Sequence, residues 1–115
     1  MSVSLKTAKW TVPAGVLACF SALAQPADAQ EMTAGVVLDR MGTDQLSGYL
    51  AGVVEGLAYA RYQRDGQMTE GMNCIYDWYY RNQETPRMVF ETFDRFPDHS
   101  PGAVMAAMVE KACGS

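Results

Sequence analysis

The stretch GYLAGVVEG, residues 48–56, places three glycines four residues apart within an otherwise apolar run. Residues four apart share one face of a helix, so Gly48, Gly52 and Gly56 predict a small-residue face that another backbone can approach closely. The glycines lack the strand-turn-helix context of a dinucleotide-binding loop. Because each glycine inside a helix costs about 1 kcal/mol relative to alanine, the sequence predicts that another helix packs against this face.

The glycines belong to one long predicted helix, roughly residues 45–63. Thr43 is its predicted N-cap, and Asp65-Gly66 is its predicted end. A membrane span needs about 20 uninterrupted apolar residues, whereas this run holds Glu55 near its centre and is followed at once by Arg61. We therefore expect no membrane span. The predicted apolar stripe comprises Leu46, Tyr49, Leu50, Val53, Leu57 and Ala60.

The first 29 residues predict a secretory signal peptide. Lys6 and Lys9 form a positive beginning, Thr11 to Leu23 is a short apolar run, and Ala27-Asp28-Ala29 is a small-residue cleavage signal. A second cleavage signal at Ala22-Leu23-Ala24 leaves the start of the mature chain open by about five residues. We expect export to the periplasm.

Removal of this segment leaves two cysteines, Cys74 and Cys113. An even cysteine count in a small exported chain indicates a disulfide, here closing a loop of 38 residues. Loop entropy assigns such a bridge on the order of 4 kcal/mol. The alternative, a zinc site, would find only His99 as a third ligand. Cys19 faintly resembles the acylated cysteine of a lipoprotein signal, but is predicted to leave with the signal peptide.

The remaining chain, residues 30–115, is predicted to be a single acidic domain. It holds seven basic and twelve acidic side chains, a net charge of −5, and the basic residues are scattered. Nucleic acid is therefore not an expected partner, because nucleic-acid binding requires a basic patch or stripe.

Four further helical segments are predicted along residues 30–115. A short one covers Thr33 to Met41, another runs from Met68 to Tyr80, and two begin at Thr85-Pro86 and Ser100-Pro101, where an N-cap hydroxyl precedes a proline. The last ends at Gly114. No strand pattern is evident, so we predict an all-α domain of four to five helices with one disulfide linking two of them.

No arrangement of residues predicts catalysis or metal binding. Asp94, Asp98 and His99 could form an acid–base or metal cluster, but Pro97 lies among them and polar residues are common in such a helix-to-helix turn. Both mature cysteines are committed to the bridge, and His99 has no evident partner. We expect no enzymatic activity, no catalytic residue, no cofactor and no metal.

Three residues are candidates for partner binding. Trp78 and Tyr80 are predicted to be partly exposed while Tyr76 and Tyr79 are buried, and exposed aromatic residues commonly anchor interfaces. Glu55 either lies on a solvated helix face or stands beside a dimer contact made by the glycines, where it could select the partner. A homodimer is thus one expectation.

The order of these features resembles a known family. An aromatic-glycine helix (Tyr49 to Gly56) is followed by Cys74-Ile75-Tyr76-Asp77-Trp78, a helix ending at Phe96-Pro97 and a closing helix ending at Ala112-Cys113. Residues 45–113 are similar in this order to the Rap/Tai immunity proteins. That resemblance implies a small exported helical domain that neutralises amidase effectors of type VI secretion systems by protein–protein interaction. The chain also resembles the HdeA-type acid-stress chaperones of the envelope in size and organisation, which leaves a chaperone role as the alternative.

Overall fold

Five α-helices and one π-helical turn follow one another in residues 31–115, the part of the chain that the computed structural model describes. They are α1 (Ala34–Arg40), α2 (Thr43–Arg64), α3 (Glu70–Tyr76), a π-helical segment (Asp77–Arg81), α4 (Thr85–Arg95) and α5 (Pro101–Cys113). No strand occurs within these residues, which confirms the predicted all-α class. The predicted signal peptide and Cys19 lie outside the described residues.

The core forms where α2 packs on α3 and α5, while α1 packs on α4. Each helix contributes at least one side chain, and Phe93, Ile75 and Met105 are the largest of those fully buried. Burial of each such side chain contributes about 1.5–3 kcal/mol to folding. The buried apolar residues are Ala34, Val37, Leu46, Leu50, Val54, Ala58, Ile75, Val89, Phe93, Val104, Met105 and Val109.

The inner face of α2 is a row of four buried residues, Leu46, Leu50, Val54 and Ala58. The prediction that Ala60 belongs to the apolar stripe is wrong, because Ala60 is exposed, and Val54 and Ala58 complete the stripe instead. A row at four-residue spacing forms one of the ridges through which helices pack. The neighbouring helices contact this ridge.

The ends of α2 lie close to the predicted positions, with one correction at the start. Gly42, rather than Thr43, is the N-cap, and its N–H donates to Oε1 of Gln45 at 3.3 Å. At the other end, Gly66 and Gln67 both have φ of 65°, a left-handed conformation that stops the helix. The predicted end at Asp65-Gly66 is confirmed, since Asp65 is the C-cap.

The helix starts at the two prolines differ from each other. Ser100 caps α5 as predicted, because its hydroxyl oxygen accepts a hydrogen bond from the N–H of Ala103 at 3.2 Å. The predicted N-cap role of Thr85 is wrong. Its hydroxyl donates instead to the carbonyl oxygen of Trp78, and Thr85 is fully buried. A polar side chain buried with its hydrogen bond satisfied can form a specific link between elements, here between the π-helical segment and α4.

The short helix α1 is fastened to the turn between α4 and α5. The N–H of Ala34 donates to the carbonyl of His99 at 2.8 Å, and that of Gly35 donates to the carbonyl of Pro97 at 2.9 Å. These bonds satisfy donors that a helix start leaves free. A Cβ atom at position 35 would lie 3.0 Å from Cβ of Pro97, so only glycine permits this approach without displacement.

The predicted disulfide is confirmed: Cys74 of α3 is bonded to Cys113, the last residue of α5, with a Cα–Cα distance of 5.9 Å. Arg61 of α2 reinforces the same corner. Its Nη1 donates to the carbonyl of Gly114 at 2.8 Å, and its Nε pairs with Asp65 at 2.7 Å. The chain end is therefore held to both α3 and α2. We call this region the stapled corner.

Candidate functional site

A π-helical turn follows α3 where a continuous helix from Met68 to Tyr80 was predicted. The α-helix ends at Tyr76, and Asp77–Arg81 form the wider π-helical turn. Such turns are rare and often occur at functional sites. The Thr85 hydroxyl accounts for part of this geometry, since its hydrogen bond fixes the carbonyl of Trp78. The aromatic run is thereby separated from the regular face of α3.

The side chains of this run form a connected row of rings. Tyr76 and Tyr80 have centroids 6.2 Å apart, Tyr79 and Tyr80 meet edge to face at 5.1 Å, and Trp78 and Tyr79 lie 6.2 Å apart. Tyr80 is 53% exposed, and Trp78 packs partly against the core. Tyr76 and Tyr79 are only partly buried, so their predicted burial is too strong. Burial and then the neighbouring Tyr80 raise the pKa of Tyr79 above 10.0.

An open groove of about 770 Å³ lies between α4 and α5 and reaches Trp78. We call it the α4–α5 groove. Volumes of this size are typical of binding clefts, which are mostly apolar with a few polar groups. The residues that line it are Trp78, Met88, Glu91, Thr92, Arg95, Phe96, His99, Ala103, Val104, Ala107, Met108, Lys111 and Ala112.

The two ends of the groove can be placed from bonds elsewhere in the chain. The Thr85–Trp78 hydrogen bond holds Trp78 near the start of α4, and the disulfide brings the end of α5 to the same region. Lys111 therefore lies toward the Trp78 end. At the other end, the α4–α5 turn brings together Phe96 and His99, whose rings meet edge to face at 5.4 Å.

The ionisable residues of the groove are not equivalent. Glu91 accepts a hydrogen bond from Arg87 at 2.6 Å, and Arg87 also pairs with Glu84 at 2.8 Å, so this carboxylate is already engaged. Among residues 31–115, neither Arg95 nor Lys111 makes an ion pair or a side-chain hydrogen bond. The groove therefore carries two uncompensated cations on an acidic chain.

Glu55 has a partner within its own chain that the sequence analysis missed. Its Oε2 accepts a hydrogen bond from the hydroxyl of Tyr76 at 2.8 Å, which links the middle of α2 to the end of α3. This bond, then burial and the Glu55 charge, raise the pKa of Tyr76 above 10.0. Glu55 lies on the exposed surface, outside the α4–α5 groove. Of the three partner-binding candidates, only Trp78 lines that groove.

Within residues 31–115, the glycine face of α2 is open. A Cβ atom built at Gly48, Gly52 or Gly56 would meet no other atom within 4 Å outside the adjoining helix backbone. The prediction that another helix packs on this face is therefore wrong for the described part of the chain. The reason is geometric: each glycine is two residues, or about 200° of helix rotation, from a residue of the buried row. Packing of a second copy there remains a prediction.

Neither a metal cluster nor a membrane helix is found among the described residues. In residues 31–115 no three His, Cys, Asp or Glu side chains are grouped so that they could hold a metal ion. Within the same range, no helix combines the length and the apolar composition needed to cross a bilayer. Asp94, Asp98 and His99 are all exposed, and His99 faces Phe96.

The groove itself was missed by the sequence analysis, although a signal was present. On α5, Ala103 and Ala107 are four residues apart, as are Met108 and Ala112, and these residues share a face other than the buried one. A helix that is apolar on two faces has more apolar surface than one core contact requires.

The chain matches no protein-family model, no curated protein and no solved structure.

Proposed function

We propose that the chain is a periplasmic binding module of the immunity type, which neutralises a secreted effector by covering it. The observation that carries the proposal is the α4–α5 groove, a concave and mostly apolar surface flanked by Trp78 and Phe96. Aromatic side chains in such positions commonly provide much of the binding free energy in protein interfaces. The resemblance of residues 45–113 to the Rap/Tai proteins supports the same function.

The stapled corner supports an exported location for this function. Disulfides persist in oxidising compartments such as the periplasm, and a domain of this size gains much of its stability from one. Neutralisation by occlusion requires a rigid surface rather than a reactive group. The bond from Cys74 to Cys113 fixes the end of α5, one wall of the groove, to α3.

The proposal is tested by co-expression with amidase effectors encoded beside this gene. We expect the protein to co-purify with one of them and to protect cells from lysis when both are directed to the periplasm. The identical experiment with the protein retained in the cytoplasm separates effector neutralisation from an effect on effector synthesis. If no amidase is bound or neutralised, the immunity function is wrong.

A matched pair of variants tests whether the groove is the binding surface. Ala107 is exposed and lines the groove, so Ala107→Trp would fill it. Ser47 is exposed on α2, outside the groove, and Ser47→Trp adds the same ring there. We expect Ala107→Trp to abolish effector binding and Ser47→Trp to retain it, with both variants melting cooperatively. Loss of binding in Ser47→Trp alone would place the effector on α2.

The alternative function, an envelope acid chaperone, requires acid to release apolar surface by protonating paired carboxylates. The pair of Arg61 with Asp65 is the least exposed such contact in the described residues. The others are on the surface, where ion pairs contribute about 0–1 kcal/mol, so this mechanism is favoured less. Light scattering of a denatured client at pH about 2–3 tests it, since a chaperone must suppress the aggregation.

A further inference from the structure

The α4–α5 groove is long enough to hold a short helix. Ala103 and Lys111 both line it and are eight residues apart on α5, which corresponds to about 12 Å along the helix axis. On α4, Met88 and Arg95 span seven residues, or about 10 Å. An occupant aligned with these helices would contact the groove over two to three helical turns.

The floor of the groove suits an apolar helix face. Met88, Met108 and Val104 lie along it, and methionine side chains adapt to irregular apolar surfaces because they are unbranched and flexible. The small side chains of Ala103 and Ala107 leave room between α4 and α5. Trp78 closes one end with a large ring that is already partly held by the core.

The cations lie toward opposite ends of this floor. Lys111 is toward the Trp78 end, whereas Arg95 adjoins Phe96 beside the α4–α5 turn. Within residues 31–115 both side chains lack a partner, and Glu91, the acidic residue that lines the groove, is paired with Arg87. Bringing carboxylates to both cations would give electrostatic complementarity, which sets the orientation and rate of association.

We propose that the groove binds an amphipathic helix of the partner protein that carries carboxylates near both of its ends. This inference rests on the proposed protein-binding function and specifies the chemistry of the partner. A lipid or fatty acid with one anionic head would pair with only one of the two cations. It is therefore a less favoured occupant of the groove than the helix. A helix presents apolar residues at i, i+3, i+4 and i+7 to the floor, while its flanking carboxylates reach Arg95 and Lys111.

Binding of synthetic peptides to the purified protein tests the inference by calorimetry. The probe is a helical peptide of about 15 residues with leucines on one face and glutamates near both ends. The control peptide has lysines in place of those glutamates. We expect saturable binding of the acidic peptide and at least tenfold weaker binding of the basic one. Equal affinity of the two peptides would overturn the inference.

Charge reversals in the protein locate the site. We expect Arg95→Glu and Lys111→Glu each to weaken binding of the acidic peptide about tenfold, and Ala107→Trp to abolish this binding. Arg64→Glu is the matched control, because Arg64 is exposed, unpaired among the described residues and outside the groove. Equal losses in Arg64→Glu and Arg95→Glu would show attraction by net charge alone and contradict the inference. Thermal melts confirm that every variant folds.

Competition between palmitate and the peptide distinguishes a lipid site from a helix site. Effector binding by the same variants distinguishes this inference from the proposed function. Palmitate could bind more tightly than the peptide, with an affinity that depends on only one of Arg95 and Lys111. That result would overturn the inference in favour of a lipid site. If an effector is bound in a manner sensitive to Ala107→Trp but not to either charge reversal, the function stands and the inference fails. If the acidic peptide binds as expected and no effector is neutralised, the inference stands and the immunity function fails.

Discussion

Gly71 and Gly52 are both helical glycines, yet they lie in opposite environments. A Cβ atom at Gly71 would be 2.5 Å from Nε of Arg61 and 2.6 Å from Oδ2 of Asp65, whereas one at Gly52 would meet nothing within 4 Å among residues 31–115. The first belongs to the stapled corner, where α2, α3 and the chain end are tied together. The second belongs to the open side of α2.

A glycine pattern indicates close packing only when the surrounding side chains supply a partner. Gly71 stands singly in the sequence, but it admits the Arg61 side chain that reaches the carbonyl of Gly114. The three glycines on the outer face of α2 form the more conspicuous pattern and have no neighbour in the described residues. Close packing follows from where polar and apolar partners lie, not from repetition.

Removal of the disulfide should destabilise the stapled corner more than any other change considered. We expect Cys113→Ser to lower the free energy of unfolding by about 2–5 kcal/mol, because the unfolded chain regains the entropy of a long loop. Urea unfolding followed by circular dichroism measures the loss. Ala112→Ser, a change at the exposed neighbouring residue, is the control and should cost less than about 1 kcal/mol. Equal stability of Cys113→Ser and the unsubstituted protein would mean that the bridge contributes nothing.

Gly71→Ala attacks the same corner without touching the disulfide. The new methyl group must displace Arg61, whose side chain is 12% exposed and holds both Asp65 and the carbonyl of Gly114. Loss of these contacts should outweigh the gain in helix propensity, for a net loss of about 1–3 kcal/mol. Denaturant unfolding under oxidising conditions checks this value. A stabilised variant would show that Arg61 moves aside at no cost.

Gly52→Ala is the matched change on the open side, and its effect should have the opposite sign. With space for the methyl group and an ordinary helical backbone, alanine should stabilise the domain by up to about 1 kcal/mol. Analytical ultracentrifugation of the same variant examines the predicted homodimer. If the unsubstituted protein is a dimer and Gly52→Ala dissociates it, the glycine face is an interface between copies.

The fold was largely predictable because its helix boundaries depend on local chemistry. Ser100-Pro101 and Gly114 mark the two ends of α5, and the structure confirms both. The predicted signal cleavage leaves Cys74 and Cys113 as a pair, and the structure confirms the bond between them. Thr85-Pro86 shows where local reasoning fails: its capping pattern resembles that of Ser100, but a tertiary hydrogen bond to Trp78 takes the hydroxyl instead.

The candidate site was less predictable because it depends on which helices become neighbours. Arg95 and Lys111 are 16 positions apart in the sequence, and only the α4–α5 hairpin places both along one groove. Similarly, the Tyr76 hydroxyl and Glu55 meet through the packing of α3 on α2. The buried row from Leu46 to Ala58 was recognisable in the sequence as apolar residues at four-residue spacing. Because this row lies about 200° around the helix from the glycines, burial of the row leaves the glycine face open.

The smallest expected effect concerns the Tyr76–Glu55 hydrogen bond, which links the open side of α2 to the end of α3. Tyr76→Phe should lower stability at neutral pH by about 0.5–1 kcal/mol, because one surface hydrogen bond is lost while the ring stays. The folded state holds the tyrosine proton more tightly than the unfolded chain, with the pKa of Tyr76 raised above 10.0. This contribution is therefore fully present below pH 10 and is lost as the pH rises through the higher folded pKa.

The difference in stability between the unsubstituted protein and Tyr76→Phe should consequently shrink as the pH rises above 10. Urea unfolding at several pH values measures it, and subtracting the two curves removes the parallel contribution of Tyr79, whose pKa is also raised. Tyr80→Phe is the control, since the Tyr80 hydroxyl makes no hydrogen bond among residues 31–115. A constant difference across this pH range would show that the Tyr76 hydroxyl is not held by Glu55 in solution, and the link between α2 and α3 would then rest on apolar packing alone.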